Sequence, residues 1–344
     1  MASEKITSAD VARLAGVSQS AVSRVFTPGR SASQKTAARV RQAAEQLGYR
    51  PNALARYMAT GRTRMIGLIV AHIDNQFYPV AFEALSRGLQ AQGYHVLMFL
   101  ADGGEQGDVG DVGEVVQELL DYQVEGIIMA SVAMSDDLTA RCIGAGIPVV
   151  LFNRGQQDPR ISQVTSDNYQ GALAATEALI AADHTRIAHI AGWQGASTGR
   201  DRARGFRDAM DRAGMTPVGL VDARFDRDLA QDAARDLMAA PTPPDAIFVG
   251  GDLMAFGVLD CLRAELGISV PDQVSVVGFD DVPLAGWPVY DLTTVRQPID
   301  EMVTATIETL MAQLAQPDVA PDKRVLPAGI VWRGTVRKAG TPAG

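Results

Sequence analysis

From residue 65 onward the chain is punctuated by seven short apolar runs: MIGLIVA, HVLMFLA, GIIMAS, IPVVLFN, RIAHIAG, AIFVGG and VSVVGFD. Helix-like segments separate them. Strands that are apolar along their whole length are buried on both faces, and their alternation with helices is the mark of parallel sheets covered on both sides. At 344 residues the chain exceeds one ordinary core and suits a small domain plus two medium ones. The pattern therefore predicts two α/β lobes within a core of residues 65–340, with a boundary near 155–165 and a return crossing at LTTVRQP. The expected division is a first lobe of about 65–160 and 294–320 and a second of about 161–293 and 321–340.

Charge separates this core from what precedes it. Residues 1–64 hold eleven Lys/Arg and three Asp/Glu, a net of +8, which leaves 20 basic and 37 acidic side chains of the chain's 31 and 40, a net of −17, for the remainder. A cationic head on an anionic body points to a polyanion for the head and a different task for the body. Within the head, Val11, Leu14 and Ala15 recur at helical spacing behind Thr7, a capping residue with Asp10 three positions on. Gly16 supplies a turn, and Ser18 caps a second helix whose Ala21, Val22 and Val25 point inward. Two short helices joined at a glycine form a helix-turn-helix, whose second helix enters a major groove. Ser18, Gln19, Ser20, Ser23 and Arg24 are its candidate DNA contacts. The bland alternative is a solvated polar face. A third helix runs over residues 33–47 and stops at Gly48. These elements make up a DNA-binding domain of residues 1–50, followed by a hinge of 51–64 in which Asn52 caps a helix over 53–59. Seven residues are too few for a stable isolated helix, so that helix is expected to form on DNA.

The segments ITSADVARLAGVSQSAVSRVF and TAARVRQAAEQLGYRPNALAR resemble the DNA-binding head and hinge of the lactose/galactose repressor (LacI/GalR) family. The alternating strands and helices that follow resemble that family's periplasmic-binding-protein-like core. The resemblance implies a helix-turn-helix head joined to an α/β core of two parallel-sheet lobes, acting as a homodimer on palindromic double-stranded operator DNA. It adds Asn52, Ala55 and Met58 to the DNA contacts, Met58 standing where the family wedges a leucine between bases. FTPGRSAS replaces the family's usual Asn-Gly turn after the recognition helix.

Ligands of open α/β sheets bind beyond the carboxyl ends of the strands. There the resemblance implies Asp74, Asn75, Phe77 and Tyr78 after the first strand, and Asn153 and Arg154 after the fourth, where an Asp-Arg pair is common in the family. It further implies Arg202 within RDRARGF, Phe225 as a stacking aromatic and Asp280 of VVGFDD as an anchoring acid. A charged fork, a carboxylate, a carboxamide and flat aromatic faces suit a small polyhydroxylated ring: a sugar, polyol or sugar derivative. Asp280 as a helix cap and Arg202 as a surface charge are the alternatives; Trp193 and Trp287 line the cleft or fill core. Gly251-Asp252, where sugar-binding members often place Asn, leaves a purine or other metabolite acting as co-repressor open.

The exclusions are broad. No G-x-S-x-G, P-loop, H-E-x-x-H or G-x-G-x-x-G follows a strand, which argues against an enzyme. His72, His95, His184 and His189 show no metal spacing, so neither metal nor cofactor is expected. The acidic segment 102–114 fails the EF-hand pattern and reads as a loop. Cys142 and Cys261 sit in apolar stretches and read as buried thiols. The sequence shows neither a secretory leader pattern nor an 18-residue apolar stretch, so a cytoplasmic chain without a membrane partner is expected, and a transport solute-binding protein is not.

Overall fold

The computed structural model describes residues 6–26, 31–50, 62–71, 73–101, 112–131 and 135–337. The chain divides into two compact units, Met1–Arg64 and Met65–Gly344. Asn52, Ala55, Met58, His72 and most of the acidic 102–114 segment lie outside the described residues.

The first unit holds three helices: α1 (Ser8–Ala15), α2 (Gln19–Phe26) and α3 (Gln34–Leu47). Local chemistry sets their ends. The Thr7 backbone N–H donates to Asp10 Oδ2 at 3.0 Å, and the Thr7 hydroxyl donates to the same oxygen at 2.7 Å. Gly16 closes α1 at φ 62°, a left-handed conformation that glycine adopts at no steric cost. Ser18 Oγ accepts from the Ala21 amide at 3.3 Å to start α2. Val11, Ala12, Ala15, Val22, Val40, Ala43 and Ala44 form the core, and Arg39 donates to the carbonyls of Ala15 and Gly16, tying α3 to the end of α1. Leu14 departs from the sequence expectation, because it stands exposed while Ala12 takes the inward position.

The second unit contains two six-stranded sheets. The first is built from β1 (Met65–Val70), β2 (His95–Leu100), β3 (Gly126–Ala130), β4 (Val149–Phe152), β5 (Ser162–Ser166) and β11 (Lys323–Leu326), in the order β11-β5-β4-β3-β1-β2 and parallel throughout. The second contains β6 (Ile187–Ala191), β7 (Gly219–Asp222), β8 (Ala246–Val249), β9 (Ser275–Asp280), β10 (Thr293–Arg296) and β12 (Gly329–Val331), in the order β12-β10-β9-β8-β6-β7, with only β12 antiparallel. Helices α4 (Phe77–Ala91), α5 (Val112–Asp121), α6 (Asp136–Gly144) and α11 (Ile299–Ala315) accompany the first sheet; α7 (Asn168–Ala181), α8 (Ser197–Arg212), α9 (Arg227–Ala239) and α10 (Asp252–Asp260) accompany the second. Beneath them lie fully buried rings and aliphatics such as Phe77, Phe152, Phe206, Phe248 and Phe279.

The lobe limits expected from sequence need correction. Residues 162–166 pair with β4 and so belong to the first lobe, 293–296 pair with β9 and belong to the second, and 323–326 return to the first. The chain thus crosses three times, between β5 and α7, between β10 and α11, and between β11 and β12. Apolar runs could not reveal this, because β5 (SQVTS) buries hydroxyls whose partners come from far away in sequence. Ser162 Oγ accepts from Gln313 Nε2 and from the Asp322 amide, both at 3.0 Å. Ser166 Oγ donates to Gln297 Oε1 at 2.6 Å, linking two of the crossing segments. Cys142 and Cys261 are buried and free. Among the described residues no helix is long and apolar enough to cross a membrane, and no cluster of His, Cys, Asp or Glu is arranged to hold a metal.

Candidate functional site

Every strand-end segment singled out from the sequence opens on one cavity of about 480 Å³, within the usual range for small-molecule sites. Asp74, Asn75 and Tyr78 enter from beyond β1, Ser131 from beyond β3, and Asn153 and Arg154 from beyond β4. Trp193, Arg224, Phe225, Leu253 and Asp280 come from the ends of β6, β7, β8 and β9, while Thr198 and Arg202 come from α8. Positive φ values recur among them: Ser131 62°, Asn153 70°, Arg224 55°, Phe225 63° and Asp280 123°. Non-glycine residues hold such conformations only where packing enforces them, and they concentrate at binding sites.

At the centre Arg202 and Asp280 form an ion pair, Nη2 to Oδ1 at 3.2 Å, each only 3% exposed. A buried pair survives only when its remaining hydrogen-bonding capacity is met. Arg202 Nε donates to Asn168 Oδ1 at 2.8 Å and Nη1 to the Gly250 carbonyl at 2.7 Å. Its guanidinium lies 3.7 Å from the Phe279 ring centroid. Asp280 accepts from Gln297 Nε2 at 2.7 Å and from Asn75 Nδ2 at 3.2 Å. Asn75 belongs to the first lobe, so this last bond joins the two sheets' strand ends. Burial raises the Asp280 pKa while Arg202 opposes the rise, and burial lowers that of Arg202.

Directly behind stands Asp252, fully buried at the start of α10. Its Oδ1 accepts from Thr294 Oγ1 at 2.6 Å and its Oδ2 from the Val282 amide at 3.0 Å. Burial, and then the neighbouring Asp280 charge, push its carboxyl well above the usual range, and its two hydrogen bonds brace the β9–β10 segment.

Two glycines set the aromatic walls. A methyl group added at Gly192 would overlap the Phe225 ring, and one at Gly195 would overlap the Trp193 ring. Both rings therefore lie close against bare backbone, and both line the cavity. Asn153 Nδ2 donates to the Tyr78 hydroxyl at 3.1 Å, while its Oδ1, Ser131 Oγ and Arg154 Nε are buried without a partner among the described residues.

One expected contact is corrected. Phe77 is 1% exposed and packs on Phe152, with ring centroids 6.1 Å apart, away from the cavity. One residue of helical rotation aims Tyr78, not Phe77, at the opening. Trp193 lines the cavity, whereas Trp287 is 58% exposed and neither lines it nor fills core. Sequence reading missed Ser131, Thr198, Arg224, Leu253 and Gln297; the first and last follow strands β3 and β10 directly, and position alone could have flagged them.

In the head, Ser18, Gln19, Ser20, Ser23 and Arg24 are all exposed along α2 and its cap. Gln19 Nε2 donates to Ser8 Oγ at 2.9 Å, and Arg24 Nε to the Ser20 carbonyl at 3.3 Å. These are weak surface contacts that a groove can replace.

Residues 7–52 match the family model for bacterial regulatory proteins of the lacI family, and residues 176–336 that of the periplasmic binding protein-like domain. The chain is 33% identical over 335 residues to the ribose operon repressor of Escherichia coli (strain K12), covering 96% of this chain and 99% of that one. The structure of the lac repressor dimer bound to operator and the anti-inducer ONPF aligns with a TM-score of 0.85 at 25% identity, over 96% of this chain and 99% of that one. The transcriptional regulator CelR in complex with cellobiose aligns at 0.70 and 30% identity, over 96% and 99%. With a head and a core that both match, over nearly its whole length, the chain belongs to the lacI family of bacterial regulatory proteins.

Proposed function

We propose that the chain is a cytoplasmic repressor that binds a palindromic operator as a homodimer and is controlled by a sugar, polyol or sugar derivative held between its lobes. The observation that carries this reading is the buried Arg202–Asp280 pair, open to a cavity fed by the strand ends of both sheets. Trp193 and Phe225 offer apolar ring faces, and Asn75, Asn153 and Asp280 offer directional partners for hydroxyls. The ribose operon repressor and the CelR–cellobiose complex, similar across the same span, favour a sugar. In the head, residues 1–50 carry the reading helix and 51–64 the hinge, with Ser18, Gln19, Ser20, Ser23 and Arg24 meeting base edges or phosphates and Asn52, Ala55 and Met58 meeting the minor groove.

The coupling follows from what the ligand touches. Asn75 stands on the first lobe and Asp280 on the second, and Gln297, in a crossing segment, holds both Asp280 and Ser166. A ligand that takes the Asn75–Asp280 bond changes how the lobes are held, and it shifts operator affinity only as far as it prefers one arrangement over the other.

Footprinting of the full-length protein on DNA upstream of its own and neighbouring genes tests the proposal. The expected result is a protected palindrome whose affinity falls steeply with salt and which is released by a sugar or polyol that also raises the melting temperature. Absence of any protected palindrome overturns the operator reading. Protection that no sugar or polyol alters overturns the effector reading.

A further inference from the structure

Arg154 is a buried cation of the cavity with no ion-pair partner among the described residues. It follows β4 and is 8% exposed, yet among the described residues it has no salt bridge, and its buried Nε makes no hydrogen bond. The other lining charges are accounted for by geometry. Arg202 pairs with Asp280, and Arg227 pairs with Asp260 at 2.6 Å and with Asp228 at 3.1 Å. Asp226 accepts the Leu229 amide at 2.8 Å as the cap of α9. Asp74 and Arg224 also line the cavity but are exposed, so solvent screens their charges. The residue before Arg154 is the carboxamide Asn153, which adds no charge. The Trp193 ring centroid, 5.7 Å from the guanidinium carbon, favours the cation without cancelling it. Burial depresses the Arg154 pKa, and among the described residues no carboxylate forms an ion pair with it. A guanidinium stays protonated even so, and a desolvated one without a counter-charge is a poor ground state that an anion relieves.

Two further features point the same way. Ser131, whose buried Oγ has no partner among the described residues, lines the same cavity. Helix α8 presents Thr198 of its first turn to the cavity and carries no acidic side chain in that turn, so its positive end is unopposed.

We propose that the effector is anionic, a sugar acid or a sugar phosphate whose carboxylate or phosphate pairs with the guanidinium fork of Arg154 while its hydroxyls engage Asp280 and Asn75. This rests on the reading of the cavity as an effector site. A planar fork matches either oxyanion through two parallel hydrogen bonds.

Calorimetric titration of the full-length protein tests it with matched sets: glucose, gluconate and glucose 6-phosphate, and ribose, ribonate and ribose 5-phosphate. Each is also assayed for operator release. The expected result is that one anionic member binds at least about tenfold tighter than its neutral parent, the ratio a charge-assisted hydrogen bond carries. Whether the carboxylate or the phosphate series shows the preference identifies the oxyanion. Arg154→Met is expected to abolish the preference and Arg154→Lys to retain part of it. If a neutral sugar binds as tightly as its anions and releases operator, the inference fails while the sugar-effector reading stands. A preference that survives in Arg154→Met also overturns it. If no member of either set binds or releases operator, both fall.

Discussion

Replacing Arg202 with methionine removes a charge from the centre of the core while keeping much of the side chain's volume. Asp280, 3% exposed, would then retain only Gln297 and Asn75 as partners. Asn168 Oδ1 and the Gly250 carbonyl would each lose a donor, and the Phe279 ring would lose the cation at 3.7 Å. Stranding one member of a buried pair costs about 3–5 kcal/mol. Burial already raises the Asp280 pKa, with Arg202 as the largest influence holding it down, so the variant raises it further. An acid whose folded pKa lies above its unfolded value of about 3.9 binds more protons when folded, so stability increases as pH falls between the two values. The loss caused by Arg202→Met should therefore be greatest at pH 8 and shrink towards pH 5. Urea unfolding measures it, followed by fluorescence of Trp193, Trp287 and Trp332, all of which lie in the core unit. Pairing the change with Asp280→Asn should recover part of the loss. A loss below about 1 kcal/mol at pH 8, the scale of an exposed pair, or a loss equal at both pH values, would refute the reasoning.

Three other outcomes follow from the same geometry. Arg24→Ala should abolish sequence-specific operator binding in an anisotropy titration and leave effector binding intact; equal operator affinity would remove Arg24 from the interface. Gly192→Ala forces the Phe225 ring off the backbone it lies on, so effector affinity should drop about tenfold or more while the folded core loses about 1–3 kcal/mol, the range for overpacking. Unchanged effector affinity would mean that this ring does not stack on the ligand. His189 is fully buried between Phe206 and Phe248, with Nδ1–H donating to the Phe248 carbonyl at 2.8 Å, and burial lowers its pKa to about 4 from 6.5. Its neutral form is the folded one, so the wild-type core should lose on the order of 3 kcal/mol as pH drops from 6.5 through 4. His189→Gln should flatten that part of the stability profile relative to wild type, and an unchanged slope would argue against a buried neutral imidazole.

The parts of the fold legible in the sequence were those whose causes lie within a few residues. Thr7 with Asp10, Gly16, Ser18 and Gly48 carry out their capping and turning roles through bonds to near neighbours. Apolar runs such as VSVVGFD became strands because no other arrangement buries both faces. Strands β5, β7, β11 and β12 escaped notice because they carry no continuous apolar run; β7 and β11 alternate in exposure instead of being apolar throughout. For β5 the reason differs: its serines are buried at the cost of hydrogen bonds supplied by Gln313, Asp322 and Gln297, which no local pattern reveals.

At the site the sequence by itself determined which strand ends carry charge and aromatic surface, and that a basic helix-turn-helix precedes an acidic core, since composition and spacing are properties of the chain alone. Only the tertiary structure decided which of those groups meet. It turned Tyr78 rather than Phe77 to the cavity, placed Asp280 against Arg202 from 78 positions away along the chain, and buried Arg154 with no ion pair among the described residues. The physical reason is that electrostatic partnership and burial act through space over a few ångströms, and two sheets crossed three times by the chain bring together residues whose separation in sequence carries no trace of that proximity.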